Sequence, residues 1–233
     1  MKHTIRAALF DFDETMIDLE AQHEAAHRAL CAAMGSDYDA LPETLTNRSG
    51  FRIIDDVRDF RDFFGWDEPE EKLLAIRHRR FVDACRASKM ELLPGVERVV
   101  RDLHSHGIRL AVTTSAMGDV VDEILRRVHL REFFEVIVDG DDVKIGKPDP
   151  EAYLITAQKL DVAPPDCMVF EDSRVGVLAA KAAGMMCIAV RHRKARVWQD
   201  LSAADQVLES FEQFDAARVS SRASVSESRD PLT

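Results

Sequence analysis

The sequence predicts an α/β protein: an open parallel sheet with helices on both faces, carrying an inserted all-helical cap. Three observations lead there. Beyond residue 91, short and almost fully apolar runs alternate with helical segments. Strands that are apolar on both faces belong to parallel sheets covered on both sides. Between residues 17 and 90 the pattern is helical throughout, and the apolar runs outside that block end in polar and charged residues.

Taken in order, Ile5 to Phe12 (IRAALFDF) is a short apolar strand ending in acid. Leu19 to Met34 is a helix, because His23, Ala26, Leu30 and Met34 fall on one face. A loop (TNRSG) and a helical stretch (FRIIDDVRDFRDFF) follow, then a helix from Glu68 to Ser88 with Leu74, Phe81 and Cys85 as its apolar stripe. Pro94-Gly95 punctuates the chain. Helices are then expected over 96–105, 120–128, 150–160 and 174–183, with strands over 108–114, 133–138, 167–170 and 186–190. A weak strand (QVL) and a short helix (FEQFDAAR) come last. The expected division is a core of residues 1–16 and 91–218, a cap of 17–90, and a Ser-rich disordered tail, 219–233.

Composition narrows the function. A formal net charge of -11 over 233 residues repels nucleic acid and anionic membranes, so neither is an expected partner. An anionic substrate would need a local cation. Cys31, Cys85, Cys167 and Cys187 form no C-x-x-C pair, which fits reduced thiols in a cytoplasmic protein. The N-terminal apolar run is cut by Asp11 and Asp13, too early for a signal peptide, and no segment reaches membrane-spanning length.

Open parallel sheets bind ligands beyond the carboxyl ends of their strands. Those ends carry Asp11-Phe12-Asp13-Glu14-Thr15, Thr113-Thr114-Ser115 and Glu171-Asp172-Ser173, and Lys147 follows the third strand in GKPDP. Asp11, Asp13, Glu171 and Asp172 would put four negative charges in one crevice. Two unit charges 4 Å apart repel by about 4 kcal/mol at an effective dielectric near 20. Such a site holds protons or a cation, and oxygen-only ligands suit Mg²⁺. With Lys147 as a second positive charge and Thr114 as a hydrogen-bonding hydroxyl, the ends make a phosphate cradle beside a carboxylate nucleophile. Read singly, the acids could be strand-end or cap residues, and Thr114 could simply cap a helix.

DFDET, TTS, GKPDP and EDSRVGVLAAKAAGM, in that order, resemble the four motifs of the haloacid dehalogenase superfamily. The resemblance implies a Rossmann-like core, a C1-type helical cap and a phospho-aspartyl intermediate. It implies that Asp11 is nucleophile and metal ligand. Asp13 would be the general acid, then base, with its carbonyl on Mg²⁺. Thr114 and Lys147 would hold the phosphoryl group, and Asp172 with Glu171 would complete the metal site. An acid two residues after the nucleophile argues for phosphate esters over halides. Glu14 departs from the commoner glycine at that position.

In the cap, Arg48 and Arg52 flank a loop that could carry specificity or simply be solvated. Arg77 falls inside an apolar stripe, so it either snorkels outward or points into the cleft. His23 reads as a core histidine or, by its resemblance to a residue of β-phosphoglucomutase-like members, as a substrate group. Ser115 joins the expected phosphate contacts. The function expected is a Mg²⁺-dependent phosphatase of a small phosphorylated metabolite. The alternatives are a β-phosphoglucomutase-like mutase and a non-catalytic binding module.

Overall fold

The computed structural model describes residues 4–46, 48–191, 199–217 and 219. The expected tail, apart from Val219, lies outside them. Six strands form one parallel sheet: β1 (Ala7–Phe10), β2 (Arg109–Thr113), β3 (Val136–Val138), β4 (Cys167–Glu171), β5 (Met186–Val190) and β6 (Gln206–Leu208). Their order is β3-β2-β1-β4-β5-β6. The chain builds outward from β1 on one side, then crosses to build β4 to β6 on the other. The switch point, where a parallel sheet opens a crevice, therefore lies at the carboxyl end of β1, between β2 and β4.

The alternation of side chains divides the core cleanly. Ala8, Phe10, Leu110, Val112, Met168 and Phe170 pack with α5 (Val96–Ser105) and α6 (Gly118–Arg127). Ala7, Leu9, Ala111 and Val169 pack with α7 (Glu151–Lys159) and α8 (Arg174–Ala182). Both faces are covered, which is why the strands carry no polar face. Phe10 and Phe170 stack with ring centroids 4.7 Å apart, immediately before the acids Asp11 and Glu171. Each buried aromatic contributes about 1.5–3 kcal/mol, so these acids leave a stiff platform.

Between β1 and α5 come α1 (Glu20–Ala33), the short α2 (Glu43–Thr46), α3 (Ile53–Phe64) and α4 (Glu70–Ala87). The strands leading into and out of this block touch: Ile17 bridges Leu92, and the Leu93 N–H donates to the Met16 carbonyl at 2.9 Å. Helix α3 ends at Gly65, whose φ of 68° lies in the left-handed region that glycine occupies without a side-chain clash.

Three details differ from the sequence reading. The strand expected over 133–138 begins only at Val136, because Arg131–Phe133 close a 3-10 turn that buries Phe134. The last helix is broken over the described residues: a 3-10 turn at Phe211–Gln213, capped by Ser210 accepting from the Glu212 N–H, is separated by residues 214–216 from helical backbone at Ala217. In α4 the fully buried leucine is Leu73, with Leu74 only partly buried, and the buried row runs through Arg77 to Phe81 and Cys85.

Candidate active site

Asp11 continues β1 by one residue, its N–H donating to the Phe170 carbonyl at 3.0 Å. Its carboxylate meets Lys147, which arrives from the loop after β3 through a cis Lys147–Pro148 bond. The ammonium donates to Asp11 Oδ1 and to Glu171 Oε1, both at 2.6 Å, and is 3% exposed. Glu171 is enclosed completely. Oε1 also accepts from the Tyr153 hydroxyl at 2.6 Å, while Oε2 accepts from the Asp172 and Ser173 N–H groups and the Ser173 hydroxyl at 3.0–3.1 Å. The carboxylate lies under the first turn of α8, and Gly176 makes room for it: a Cβ there would sit 1.8 Å from Glu171 Oε1. Helix α8 is capped by Ser173, whose hydroxyl accepts from the Gly176 N–H.

Burial governs the charges. It pushes the Asp11 carboxyl up to about 7 against the pull of Lys147, with Glu171 raising it further. Asp172 is pushed well above its usual range by burial and by the neighbouring acids Glu171 and Asp11. Burial opposes ionisation of Glu171 too, but Lys147 and the hydrogen bonds overcome it and hold that carboxyl low. Burial would lower the Lys147 ammonium; Asp11 and Glu171 outweigh it and keep it above the ordinary lysine range. One ammonium does not offset three buried carboxylates. Asp11, Glu171 and Asp172 offer oxygens that all lie within 4.8 Å of one another. An all-oxygen set short of positive charge fits a hard divalent cation. Asp11 and Asp172 have capacity to spare, whereas both Glu171 oxygens are already engaged.

The Asp13 side chain stands apart from that trio. Its Oδ2 meets His23 Nε2 at 3.1 Å, and its Oδ1 is buried with no hydrogen-bond partner. Arg77, 1% exposed, donates through Nη2 to His23 Nδ1. Arginine has no acceptor, so Nδ1 must accept; Nε2 then carries the proton and donates to Asp13. The guanidinium also lies over the Phe81 ring, 4.8 Å from its centroid. Arg77 neither snorkels nor enters the cleft: it lies in the row that α4 buries and reaches Asp13 only through His23. Thr15 donates to Asp172 Oδ1 at 3.1 Å. Glu14 has φ of 62°, which explains why glycine suits this position, and its Oε1 accepts the Leu19 N–H at 3.1 Å at the start of α1.

The remaining expected residues divide. Thr114 is buried at the end of β2, its hydroxyl accepting from the Ala116 N–H at 3.0 Å. Ser115 lines the same cavity and donates to the Gly50 carbonyl at 2.9 Å, tying the loop 48–52 to the core. The cavity runs from Asp11, Asp13, Thr114 and Asp172 to Arg48 in that loop. Arg52 is a correction: it does not line the cavity. It grips Asp55 with two nitrogens and donates to the Val143 and Lys144 carbonyls, so it clasps α3 to the core. Sequence reasoning missed Tyr153, which gave no signal within an apolar helix. It also missed Asp56, whose signal was legible: an acid on the helix face shared by Ile53, Val57 and Phe60, all buried.

Acids gathered round one buried ammonium, at the switch point of a parallel sheet, define an α/β protein with a cation-seeking site beyond its strand ends. Its relations are specific. A sequence profile of the haloacid dehalogenase-like hydrolases matches residues 8–190, and the chain belongs to that family, in its phosphatase and β-phosphoglucomutase branch. It is 33% identical to a phosphorylated carbohydrates phosphatase of Thermotoga maritima over 189 residues, 78% of this chain and 82% of that one. It is 28% identical to β-phosphoglucomutase of Bacillus subtilis over 205 residues, 84% of this chain and 88% of that one. The crystal structure of CbbY from Rhodobacter sphaeroides in complex with phosphate superposes with a TM-score of 0.78 at 30% identity, covering 90% of this chain and 96% of the other.

Proposed function

We propose that the chain hydrolyses the phosphate monoester of a small phosphorylated metabolite by transferring the phosphoryl group to Asp11 and then to water. The observation that carries this reading is the buried Lys147 ammonium 2.6 Å from Asp11 Oδ1, with Asp13 lining the same cavity as Asp11. An Asp11 oxygen attacks phosphorus as the ester P–O bond breaks, and Asp13 gives its proton to the departing oxygen. Water then attacks the phospho-aspartate, Asp13 takes its proton, the Asp11–phosphorus bond breaks and inorganic phosphate leaves. Lys147 stays charged throughout and offsets negative charge on the transferring group. Thr114 borders the same space. Asp11 and Asp172 would hold Mg²⁺, with Glu171 beside them, and the ion would supply charge neutralisation on the phosphoryl oxygens.

His23 and Arg77 act on Asp13 from the helices of 17–90. We take that block as a cap over a core of 1–16 and 91–218, hinged at the paired Met16–Leu93 and Ile17–Leu92 crossings. Its closure sets the acid and excludes bulk water together. Among the described residues no helix is long and apolar enough to cross a membrane, and the four cysteines are free and buried, in keeping with a protein of the cytoplasm.

The test is phosphate release from p-nitrophenyl phosphate or acetyl phosphate with Mg²⁺. Asp11→Asn should lower turnover by about three orders of magnitude or more, and acid quenching should trap phosphate on the wild-type chain only. Undiminished turnover in the variant would remove Asp11 as nucleophile. The His23–Asp13 bond also favours a mutase reading, since an acid armed only by the closed cap would let phospho-aspartate wait for a second hydroxyl. That reading requires interconversion of hexose phosphates, primed by a bisphosphate.

A further inference from the structure

The part of the cavity lining supplied by α1 and α3 contains polar groups that the chemistry above does not use. Asp56 lies on α3 and lines the cavity, yet is 5% exposed. Its Oδ1 is buried and has no hydrogen-bond partner; its nearest cation is Arg48 Nε at 3.4 Å, beyond a good hydrogen bond. His27, on α1, lines the same cavity, and its Nε2 is likewise buried without a partner. Burial, then the nearby Arg77 and His23, holds that ring well below the usual histidine range, so it stays neutral. Leaving a buried polar atom unsatisfied costs about 1–3 kcal/mol, more when charged. Two such atoms on one cavity wall, in a family whose chemistry happens at the other, call for donors that the folded chain does not supply.

The wall's charge says which donors. Arg48 is the one arginine or lysine among the described residues lining the cavity. It is engaged by Asp59 through Nη1 and by the Phe51 ring 4.5 Å away, and approaches Asp56 no closer than 3.4 Å. Glu20 and Glu24 add acid to the same lining. This wall offers acceptors and a neutral ring rather than a free cation. A hydroxyl group, donating to the carboxylate and accepting from or donating to the imidazole, matches both orphaned atoms; an alkyl chain matches neither.

Resting on the phosphatase reading, we propose that Asp56 is a specificity-determining residue: its carboxylate accepts a hydrogen bond from a hydroxyl of the leaving group, with His27 as second partner, so that the enzyme selects polyhydroxylated phosphate monoesters over alkyl ones. Burial pushes the Asp56 carboxyl up to about 7 against Arg48 and Arg77, consistent with a group that lacks donors until the cavity fills.

The experiment compares kcat/KM for a hexose 6-phosphate and for n-hexyl phosphate, with Mg²⁺, in wild type, Asp56→Leu and Asp56→Asn. Wild type should prefer the sugar ester by about tenfold to a hundredfold, the range of one hydrogen bond to a charged group. Asp56→Leu, similar in shape without an acceptor, should erase that preference mainly through KM for the sugar ester. Asp56→Asn should retain part of it. Circular dichroism establishes folding; should the leucine variant fail to fold, the asparagine variant decides. Equal wild-type use of both esters overturns the proposal and spares the phosphatase reading, as does a preference that survives both variants. Wild type that cleaves neither ester, nor acetyl phosphate, overturns both together.

Discussion

The two walls of one cavity are finished to different degrees. Behind the core wall Lys147 meets the wall residue Asp11 and the enclosed Glu171 at 2.6 Å, Glu171 has both oxygens engaged, and Thr15 meets Asp172. On the cap wall Asp56 and His27 present buried atoms without partners. The contrast teaches where each kind of work is done. Chemistry needs charges fixed before the substrate arrives, because reorganising them during the reaction would add to the barrier. Selectivity needs the reverse: partners left open for the right ligand to complete and the wrong one to leave unmet. On the core side Asp13 Oδ1, buried without a hydrogen-bond partner, belongs to the group proposed to exchange a proton.

If that contrast is right, the largest effects come from stripping the core wall. Chelating divalent cations should abolish turnover, and Mg²⁺ should restore it. Mg²⁺ should also raise the thermal midpoint of wild type more than that of Asp172→Asn, since a ligand held by the folded state alone stabilises it. Equal shifts would detach Asp172 from the ion. Lys147→Met comes next. It should cost about two to four orders of magnitude in kcat, and about 3–5 kcal/mol in urea unfolding, because two acids lose their buried partner. The pH dependence has a definite sign. In wild type Glu171 is held below its ordinary value, so it stabilises the fold above the usual glutamate range and loses that contribution as pH falls through its lowered value. Without Lys147 burial reverses the shift. The variant's deficit should be largest at neutral and alkaline pH and shrink toward pH 5.

This asymmetry also explains what the sequence disclosed. The sheet was legible because each strand is apolar on both faces, and the crevice because Asp11, Thr114 and Asp172 sit where strands end and Lys147 in the loop that follows one. Those are local signals. Arg52 was not legible as a clasp, because its carbonyl partners at Val143 and Lys144 lie some ninety residues away and leave no mark of their own. Tyr153, which helps position Glu171, is indistinguishable in sequence from any core aromatic. Arg77 was visible as a misplaced cation in an apolar row, yet only the packing of α1 on α4 reveals that His23 receives it. Asp56 could have been found by the same test, an acid among Ile53, Val57 and Phe60.

The clasp between α3 and the core should respond differently. Arg52→Ala removes the clasp without touching either wall, so it should raise KM by about three- to tenfold and change kcat by less, since an enzyme whose cap closes less often binds more weakly in proportion to the closed fraction. A change confined to kcat would mean that Arg52 serves the chemistry, and the division between walls would need redrawing.

The smallest effect tests the seam between the two. Glu14 holds a left-handed backbone, φ 62°, which costs a residue with a side chain about 1–2 kcal/mol. Its carboxylate returns part of that by accepting the Leu19 N–H as α1 begins, a helix start with no side-chain cap of its own. Helix caps contribute about 0.5–2 kcal/mol. Glu14→Gly relieves the strain and loses the cap, so the two effects should nearly cancel, leaving stability in urea within about 1 kcal/mol of wild type. The cancellation makes the variant informative about motion. Glycine frees the chain between Asp13 and α1, where the cap joins the core, so kcat/KM should fall a few-fold while stability stays put. A variant as active as wild type would show that the stiffness of this turn is incidental, and that His23 alone aligns the acid.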